Sequence, residues 1–300
     1  MKSITRQSLA SALAEPSPPT LIHVLPEESW KAERLPGSHC ACVYEVGFLD
    51  AVRQFAPDPT APLVVYGAGL PSLESAAAAA KLEAAGYGNV SDFSGGLAAW
   101  KDGGHPLEGD RSTATPPSRD GIWVVDPEES IVRWVGRNLF NFHEGTLRLR
   151  GGSFEVKNEV LRHSSFTIDM TSIACSDIAD QAANQLLLRH LADQDFFLTS
   201  QFPEATFTAT AATPISDATL GTPNYEIVGD LTLRGVTQPV RFPALLALNG
   251  DNHLVAQAHL EIDRTRWGVN YGSGRLFAFL GKHVVNDFVA LHLKITAIKN

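Results

Sequence analysis

The sequence predicts two domains of different class, an α/β domain with a parallel sheet and then an antiparallel sandwich or barrel with one inserted helix. Residues 109–120 are rich in Ser, Thr, Pro and charge without apolar periodicity, which indicates a linker. Before this stretch short apolar runs alternate with helical segments, and after it apolar and polar residues alternate singly. The expected domains are therefore residues 1–108 and 121–300.

In the first domain, two apolar runs predict strands and one Ala-rich segment predicts a helix. Residues 20–24 form an apolar run between two prolines, typical of a strand buried on both faces, and residues 62–66 form another. Residues 72–85 have strong helix propensity and end at Gly86, a residue that favours helix termination. Strand, helix and strand in this order indicate a parallel sheet covered by helices.

In the second domain, single alternation predicts strands and one leucine-rich segment predicts a helix. The strand-like segments are residues 131–137, 225–233, 254–262 and 289–295. Residues 178–193 place leucines at helical spacing, with Ser176 and Asp177 as the predicted N-terminal cap.

Composition limits the function classes. The 300 residues are 44% hydrophobic and 19% charged, as in globular proteins, and the formal net charge is -9. This charge argues against nucleic-acid binding and, weakly, against docking on anionic lipid. The sequence has no apolar run near the roughly 20 residues of a membrane span, and its first residues lack the apolar core of a secretion signal. We expect a cytoplasmic protein.

Three cysteines, an odd number, argue against a disulfide framework. Cys40 and Cys42 flank one alanine and would point to the same face of an extended segment. They suit either a two-cysteine metal or redox site or two small buried apolar side chains. The second interpretation is favoured, because cysteine is among the most frequently buried residue types.

Several motifs of the first domain resemble the rhodanese-like family of sulfurtransferase domains. They are the residues Leu-Pro-Gly-Ser at 35–38, Gly-Tyr-Gly-Asn-Val at 86–90, and Gly-Gly at 95–96 followed by Trp100. Together they extend the resemblance over roughly residues 4–107. It implies an α/β fold whose chemistry depends on a cysteine in the loop after the strand that ends at Tyr66.

That loop departs from the family pattern. Counting from either side places the nucleophile at Gly67 or Gly69, and Glu74 replaces an arginine. Sulfur transfer needs a thiolate, which an acidic neighbour would oppose. We expect an inactive domain with a role in interaction or regulation. Ser72 and Ser75 would either cap the following helix or favour a small anion.

From Gly121 onward the sequence resembles the YceI-like family of lipocalin-like barrels, which hold polyisoprenoids or similar amphiphiles. The matching elements include the residues Trp-Val-Val-Asp-Pro at 123–127, Asp-Phe-Phe at 195–197, Gly-Asp-Leu-Thr-Leu-Arg-Gly-Val-Thr at 229–237, and Ile-Asp-Arg-Thr at 262–265. They follow in order over about 180 residues. The resemblance implies a closed antiparallel barrel whose interior binds an isoprenoid or amphiphilic lipid.

The expected ligand site combines small inward-facing residues with polar groups at the barrel mouth. Ala256 and Ala258 would leave room for an alkyl chain, or would simply pack against larger neighbours. The predicted ligand-binding residues are Arg137, Asn141, His143, His190, Ala256, Ala258, Arg264, Trp267, Tyr271, Arg275 and His283.

An alternative function uses metal or thiol chemistry. His143, His190 and His283, with Asp287, would have to converge on one ion such as zinc, and Cys40 or Cys42 would supply a thiol. Short His-x-His or His-x-x-x-His pairs are missing from these histidines, so we expect neither a metal nor a cofactor. The leading hypothesis is a lipid-binding barrel fused to a non-catalytic rhodanese-like module, and a homodimer is left open.

Overall fold

The computed structural model describes residues 2–110, 118–250 and 252–300. These residues form two compact units, one on each side of residues 111–117. Most of the expected linker, residues 111–117, lies outside the described residues.

The described part of the first unit contains five strands and five helices. The strands are β1 (Lys2–Ser3), β2 (Thr20–His23), β3 (His39–Cys40), β4 (Leu63–Tyr66) and β5 (Val90–Phe93). The helices are α1 (Arg6–Leu13), α2 (Glu27–Ala32), α3 (Phe48–Phe55), α4 (Glu74–Ala84) and α5 (Gly96–Asp102). All strand pairs are parallel, in the order β1-β5-β4-β2-β3, which confirms the predicted fold class.

Alternation along β4 buries this sheet on both faces. Leu63 and Val65 pack into one apolar cluster with residues of α3 and α4, whereas Val64 and Tyr66 pack into another with α1 and Trp100 of α5. Successive strand residues point to opposite faces, so a strand between two helical layers must be apolar throughout. This explains the continuous apolar run in the sequence.

The described part of the second unit is dominated by nine strands. They are β6 (Gly121–Val125), β7 (Ile131–Asn138), β8 (Phe142–Lys157), β9 (Val160–Cys175), β10 (Glu204–Pro214), β11 (Tyr225–Leu233), β12 (Val236–Asn249), β13 (His253–Asp263) and β14 (Val285–Lys299). Antiparallel pairs run in sequence from β7 to β14, and β14 also pairs with β7. The eight strands β7–β14 therefore close a barrel, while β6 pairs with β8 and β14.

One helix, α6 (Gln181–Ala192), interrupts the strand order between β9 and β10. The helix was predicted, but its cap was not: Asp180 accepts a hydrogen bond from the Ala183 N–H at 2.8 Å. Asp177, predicted as part of the cap, instead bonds to β8. The chain therefore begins the helix three residues after the predicted start at residue 178.

Large apolar side chains fill much of the barrel. Trp123, Leu254 and Trp267 are fully buried within one cluster that receives residues from the barrel strands. Across the described ranges, no helix combines the length and apolarity that crossing a bilayer requires.

Candidate ligand chamber of the barrel

The barrel contains an apolar cavity of about 310 Å³, here called the upper chamber. Its size falls at the lower end of the range for small-molecule sites, roughly 300–1,000 Å³. Strand alternation directs apolar side chains inward from β7, β9, β11, β13 and β14, and α6 covers one side. Its apolar wall includes Val132, Trp134, Leu147, Ile168, Met170, Ile173, Leu187, Leu191, Phe196, Phe197, Leu231, Leu233, Ile262, Val289 and Leu291.

Three segments surround one end of the upper chamber. They are the β7–β8 hairpin at residues 136–143, helix α6, and the loop at residues 271–285. The loop approaches itself closely at Gly272, whose φ is +66° and where a Cβ would overlap the His283 carbonyl oxygen. The Val285 N–H donates to the Gly272 oxygen at 2.8 Å, which fixes the loop across the end of the barrel.

A histidine–carboxylate pair joins the hairpin to the segment before α6. His143 Nδ1 lies 2.8 Å from an Asp177 oxygen, and the Glu144 N–H donates to the other oxygen at 2.9 Å. Burial raises the pKa of Asp177, but the hydrogen bonds from Glu144, His143 and Cys175 outweigh burial and hold it at about 2. The carboxylate therefore stays ionised and orients the imidazole at the chamber wall.

Arg264 is buried and serves mainly as a clamp. Its guanidinium donates to the carbonyl oxygens of Val269, Tyr271, Val285 and Asn286 at 2.6 to 3.1 Å. Burial lowers its pKa. These carbonyls use much of the hydrogen-bonding capacity of the guanidinium, so Arg264 holds the loop in place. A ligand would meet Arg264 mainly as one side chain of the chamber wall.

His190 of α6 lies in an aromatic corner of the chamber. Its ring centroid is 4.6 Å from that of Tyr271 and 4.9 Å from that of Phe196, both edge-to-face. Its Nε2 is 3.6 Å from an Asp195 oxygen. This corner joins polar ring atoms to an apolar wall.

A second cavity of about 90 Å³, here called the lower chamber, lies next to the upper chamber in the barrel. Ala256 and Ala258 line it, with Phe154, Phe207, Phe242 and other apolar residues around them. Val132, Ile168, Leu231 and Leu291 line both chambers, which are therefore neighbours. The small side chains predicted on β13 thus do border empty space.

The predicted site residues divide between the chambers and other surroundings. Arg137, His143, His190, Arg264, Tyr271 and His283 line the upper chamber, and Ala256 and Ala258 line the lower one. The other three lie elsewhere. Asn141 is in the exposed hairpin turn, Arg275 pairs with Asp263 and Asp287, and Trp267 is buried with its indole N–H on the Leu231 oxygen at 2.9 Å. Contact of any of them with a ligand stays a prediction.

Some residues of the chamber wall were not predicted from the sequence. Lys282 and Asn286 line the upper chamber beside His283, and Leu187 and Phe197 complete its apolar side. Two of these residues could have been found from the sequence. Lys282 directly precedes the predicted site residue His283, and Phe197 belongs to a motif that resembles the family.

The described residues give no support to a metal centre. Among them, no group of three or more His, Cys, Asp or Glu side chains is placed to hold an ion. His143, His190 and His283 all line the upper chamber but do not form such a group.

Cys40 is unsuited to nucleophilic chemistry at neutral pH. Burial, with the nearby Cys42, raises the pKa of Cys40 to about 11, and its thiol donates to the Leu25 oxygen at 3.7 Å. Cys42 is buried. Because the reactive form is the thiolate, a raised pKa keeps Cys40 inert at neutral pH.

In the first unit, the Glu74 carboxylate lies inside the loop that follows β4. Glu74, only 4% exposed, accepts a hydrogen bond from the Ala68 N–H at 2.6 Å and another from the Ser72 hydroxyl. Burial raises its pKa, but the hydrogen bonds from Ser72 and loop N–H groups outweigh burial and lower it. Ser72 thus bonds to Glu74, and α4 begins without a side-chain cap, so the predicted serine cap is wrong.

A cysteine at either candidate position of this loop would meet other atoms. A Cβ at Gly67 would lie 2.7 Å from the Glu74 carboxyl carbon. At Gly69, where φ is +114°, a Cβ would overlap the Gly95 carbonyl oxygen. At Gly69 the backbone therefore requires glycine, whereas a side chain at Gly67 would need only the Glu74 side chain to move.

The second unit matches a known family. The YceI-like domain family matches residues 123–297. Protein YceI of Escherichia coli is 34% identical over 100 residues, which are 33% of this chain and 46% of that protein. A UPF0312 protein of Pseudomonas putida is 30% identical over 133 residues, 43% of this chain and 62% of that protein. The chain spans about half the length of the first curated relatives that it matches.

Solved structures similar to the second unit include Burkholderia cenocepacia BcnA. It is 24% identical, with a TM-score of 0.45, over 58% of this chain and 99% of that one. A structure described as a polyisoprenoid binding domain from Saccharophagus degradans is 16% identical, with a TM-score of 0.43, over 59% of this chain and 98% of that one.

The first unit matches the rhodanese-like domain family over residues 5–103. A rhodanese-like domain from an Anabaena protein is 28% identical, with a TM-score of 0.34, over 40% of this chain and 88% of that one. Both predicted resemblances are confirmed at the level of the domain family.

Proposed function

Because the chain belongs to the YceI-like domain family, we propose that its barrel binds an isoprenoid or another amphiphilic lipid. The upper chamber carries this proposal, since an apolar wall meets a few polar groups at one end. The tail would lie against the apolar wall and extend towards Ala256 and Ala258. The head group would lie near His143, His190 and Tyr271.

The size of the chambers favours a long tail over a small solute. At roughly 30 Å³ for each small group, the upper chamber holds about ten methylene-sized groups and the lower one about three. Burying each methylene contributes about 0.8 kcal/mol, and association costs on the order of 4–15 kcal/mol. A tail must therefore fill most of both chambers to bind tightly.

Uptake of a fluorescent polyprenyl probe by the full chain tests this proposal. Ile168→Trp places a large ring at the wall shared by the two chambers and should reduce uptake strongly while the protein stays folded. Thr167→Trp, on the opposite face of β9, is the matched control and should bind as the unaltered protein does. The proposal would be overturned if the unaltered protein and the control both failed to take up the probe. Unchanged uptake by Ile168→Trp would place the site outside the barrel interior.

We propose further that the rhodanese-like domain transfers no sulfur and serves in interaction or regulation. Glu74 supports this, because its carboxylate fills the space next to Gly67 and brings negative charge to the loop. Measurable turnover of thiosulfate and cyanide by the unaltered protein would contradict the proposal. A cytoplasmic location stays a prediction, which fractionation of the host cells with antibody detection would test.

A further inference from the structure

Large apolar side chains stand exposed around the upper chamber. The exposed fractions are 58% for Leu139, 80% for Phe140, 52% for Phe142, 62% for Leu186, 50% for Leu276, 51% for Phe277 and 106% for Phe279. We call these seven residues the apolar rim. Clustered exposed apolar side chains usually mark a surface that meets a partner.

The chain places the apolar rim at the chamber entrance. The three hairpin residues lie between Asn138 and His143, which both line the upper chamber. Leu186 precedes the wall residue Leu187 on α6. Phe277 and Phe279 border a surface depression that shares Tyr271 and His283 with the chamber. All three segments that surround this end therefore contribute to the rim.

Charge on these segments differs from that of the whole chain. The hairpin 136–143, α6 and the loop 271–285 contain Arg137, Arg189, Arg275 and Lys282 but no Asp or Glu, whereas the whole chain has a net charge of -9. Carboxylates do lie next to these segments: Asp180 and Asp193 flank α6, and Asp195 borders the depression lined by Phe277 and Phe279. Arg137 and Arg275 pair with carboxylates of β13 and β14. Arg189 and Lys282 are exposed. Apolar side chains beside cations suit the interface of an anionic membrane.

We propose that the apolar rim inserts into the surface of an anionic bilayer, so that the ligand passes between the membrane and the upper chamber without crossing water. This inference rests on the proposed lipid binding. A lipid tail that leaves a membrane through water exposes every methylene, whereas a docked entrance shields the tail along its path.

A second copy of the chain fits the rim less well. Two rims placed face to face would bring the cations of both copies together, and like charges repel. A bilayer surface with anionic head groups offers both apolar depth and opposite charge. Docking would therefore rest on the exposed apolar side chains, with Arg189 and Lys282 as the exposed cations beside them.

Vesicle flotation of the full chain tests the docking. The unaltered protein should float with vesicles of phosphatidylcholine and phosphatidylglycerol, less with phosphatidylcholine alone, and less at high salt. The double variant Phe140→Ser/Phe279→Ser should bind the anionic vesicles about tenfold more weakly or worse. Leu220→Ser is the matched control, since Leu220 is fully exposed in the loop between β10 and β11, and it should bind like the unaltered protein.

Probe uptake separates this inference from the proposed function. The double variant should take up a water-dispersed short prenyl probe normally but should extract a polyprenyl probe from anionic vesicles about tenfold more slowly. Uptake by the unaltered protein without vesicle binding would overturn docking and leave lipid binding intact. Vesicle binding without any probe uptake would overturn lipid binding by the barrel and leave docking intact. If the rim variants abolished self-association of the protein but left vesicle binding unchanged, the apolar rim would instead be a contact surface for a second copy of the chain.

Discussion

Replacing Ala256 with leucine should shorten the longest tail that the barrel accepts. The change adds three carbon atoms at the wall of the lower chamber, and at roughly 30 Å³ each they match its volume of about 90 Å³. A long ligand then loses the burial of about three methylenes, each worth about 0.8 kcal/mol. The loss of about 2.4 kcal/mol corresponds to about 50-fold weaker binding.

Dissociation constants measured for prenyl alcohols of increasing length check this reasoning. Short probes that end within the upper chamber should bind Ala256→Leu and the unaltered protein equally, and only longer probes should lose affinity. The melting temperature should hold, because the new side chain fills existing space. His259→Leu is the matched control on the outer face of β13, where the His259 ring stacks on His292 at 4.4 Å. Equal losses at every length, or a large drop in melting temperature, would refute the two-chamber account.

Three further predictions concern the first unit and the linker. Burial lowers the pKa of His23 to about 4, so the unfolded chain binds a proton that the folded one excludes between pH 6.5 and 4. The free energy of unfolding should fall by about 3 kcal/mol as pH drops through this window, and His23→Phe should remove that dependence in urea titrations. Gly67→Cys should show no thiosulfate–cyanide turnover and should melt lower, whereas adding Glu74→Ala should recover part of the loss. If Gly67→Cys melted like the unaltered protein, the Glu74 side chain would be able to move aside at no cost in stability. Limited proteolysis should first cut residues 109–120 and release a folded C-terminal fragment, and a first cut within β11 would contradict the expected domain division.

The fold class could be predicted because its signals are local. The residues of β4 form an apolar run since both faces of that strand are covered, and β13 alternates since only one of its faces is inward. The start of α6 could not be located in this way. Asp177 and Asp180 are equally good caps by type, and the choice depends on the contact of Asp177 with His143, which is distant in sequence.

The candidate site shows the same limit. Tyr271 and His190 are far apart in sequence, and only the closed barrel brings their rings together. The hydrogen bond from the Trp267 indole N–H to the Leu231 oxygen joins residues that are far apart in sequence, and periodicity does not report such packing. Likewise, the sequence indicated a negative charge at Glu74, but it did not indicate that the Ala68 N–H donates a hydrogen bond to this carboxylate.

Native mass spectrometry of the full chain, purified from its own host without detergent, detects a bound lipid directly. We expect a population heavier than the sequence mass by several hundred daltons, as one isoprenoid or similar lipid would add. That adduct should be lost from Ile168→Trp and kept in Thr167→Trp. A spectrum at the sequence mass alone, from a protein that also takes up no polyprenyl probe, would contradict lipid binding by the barrel.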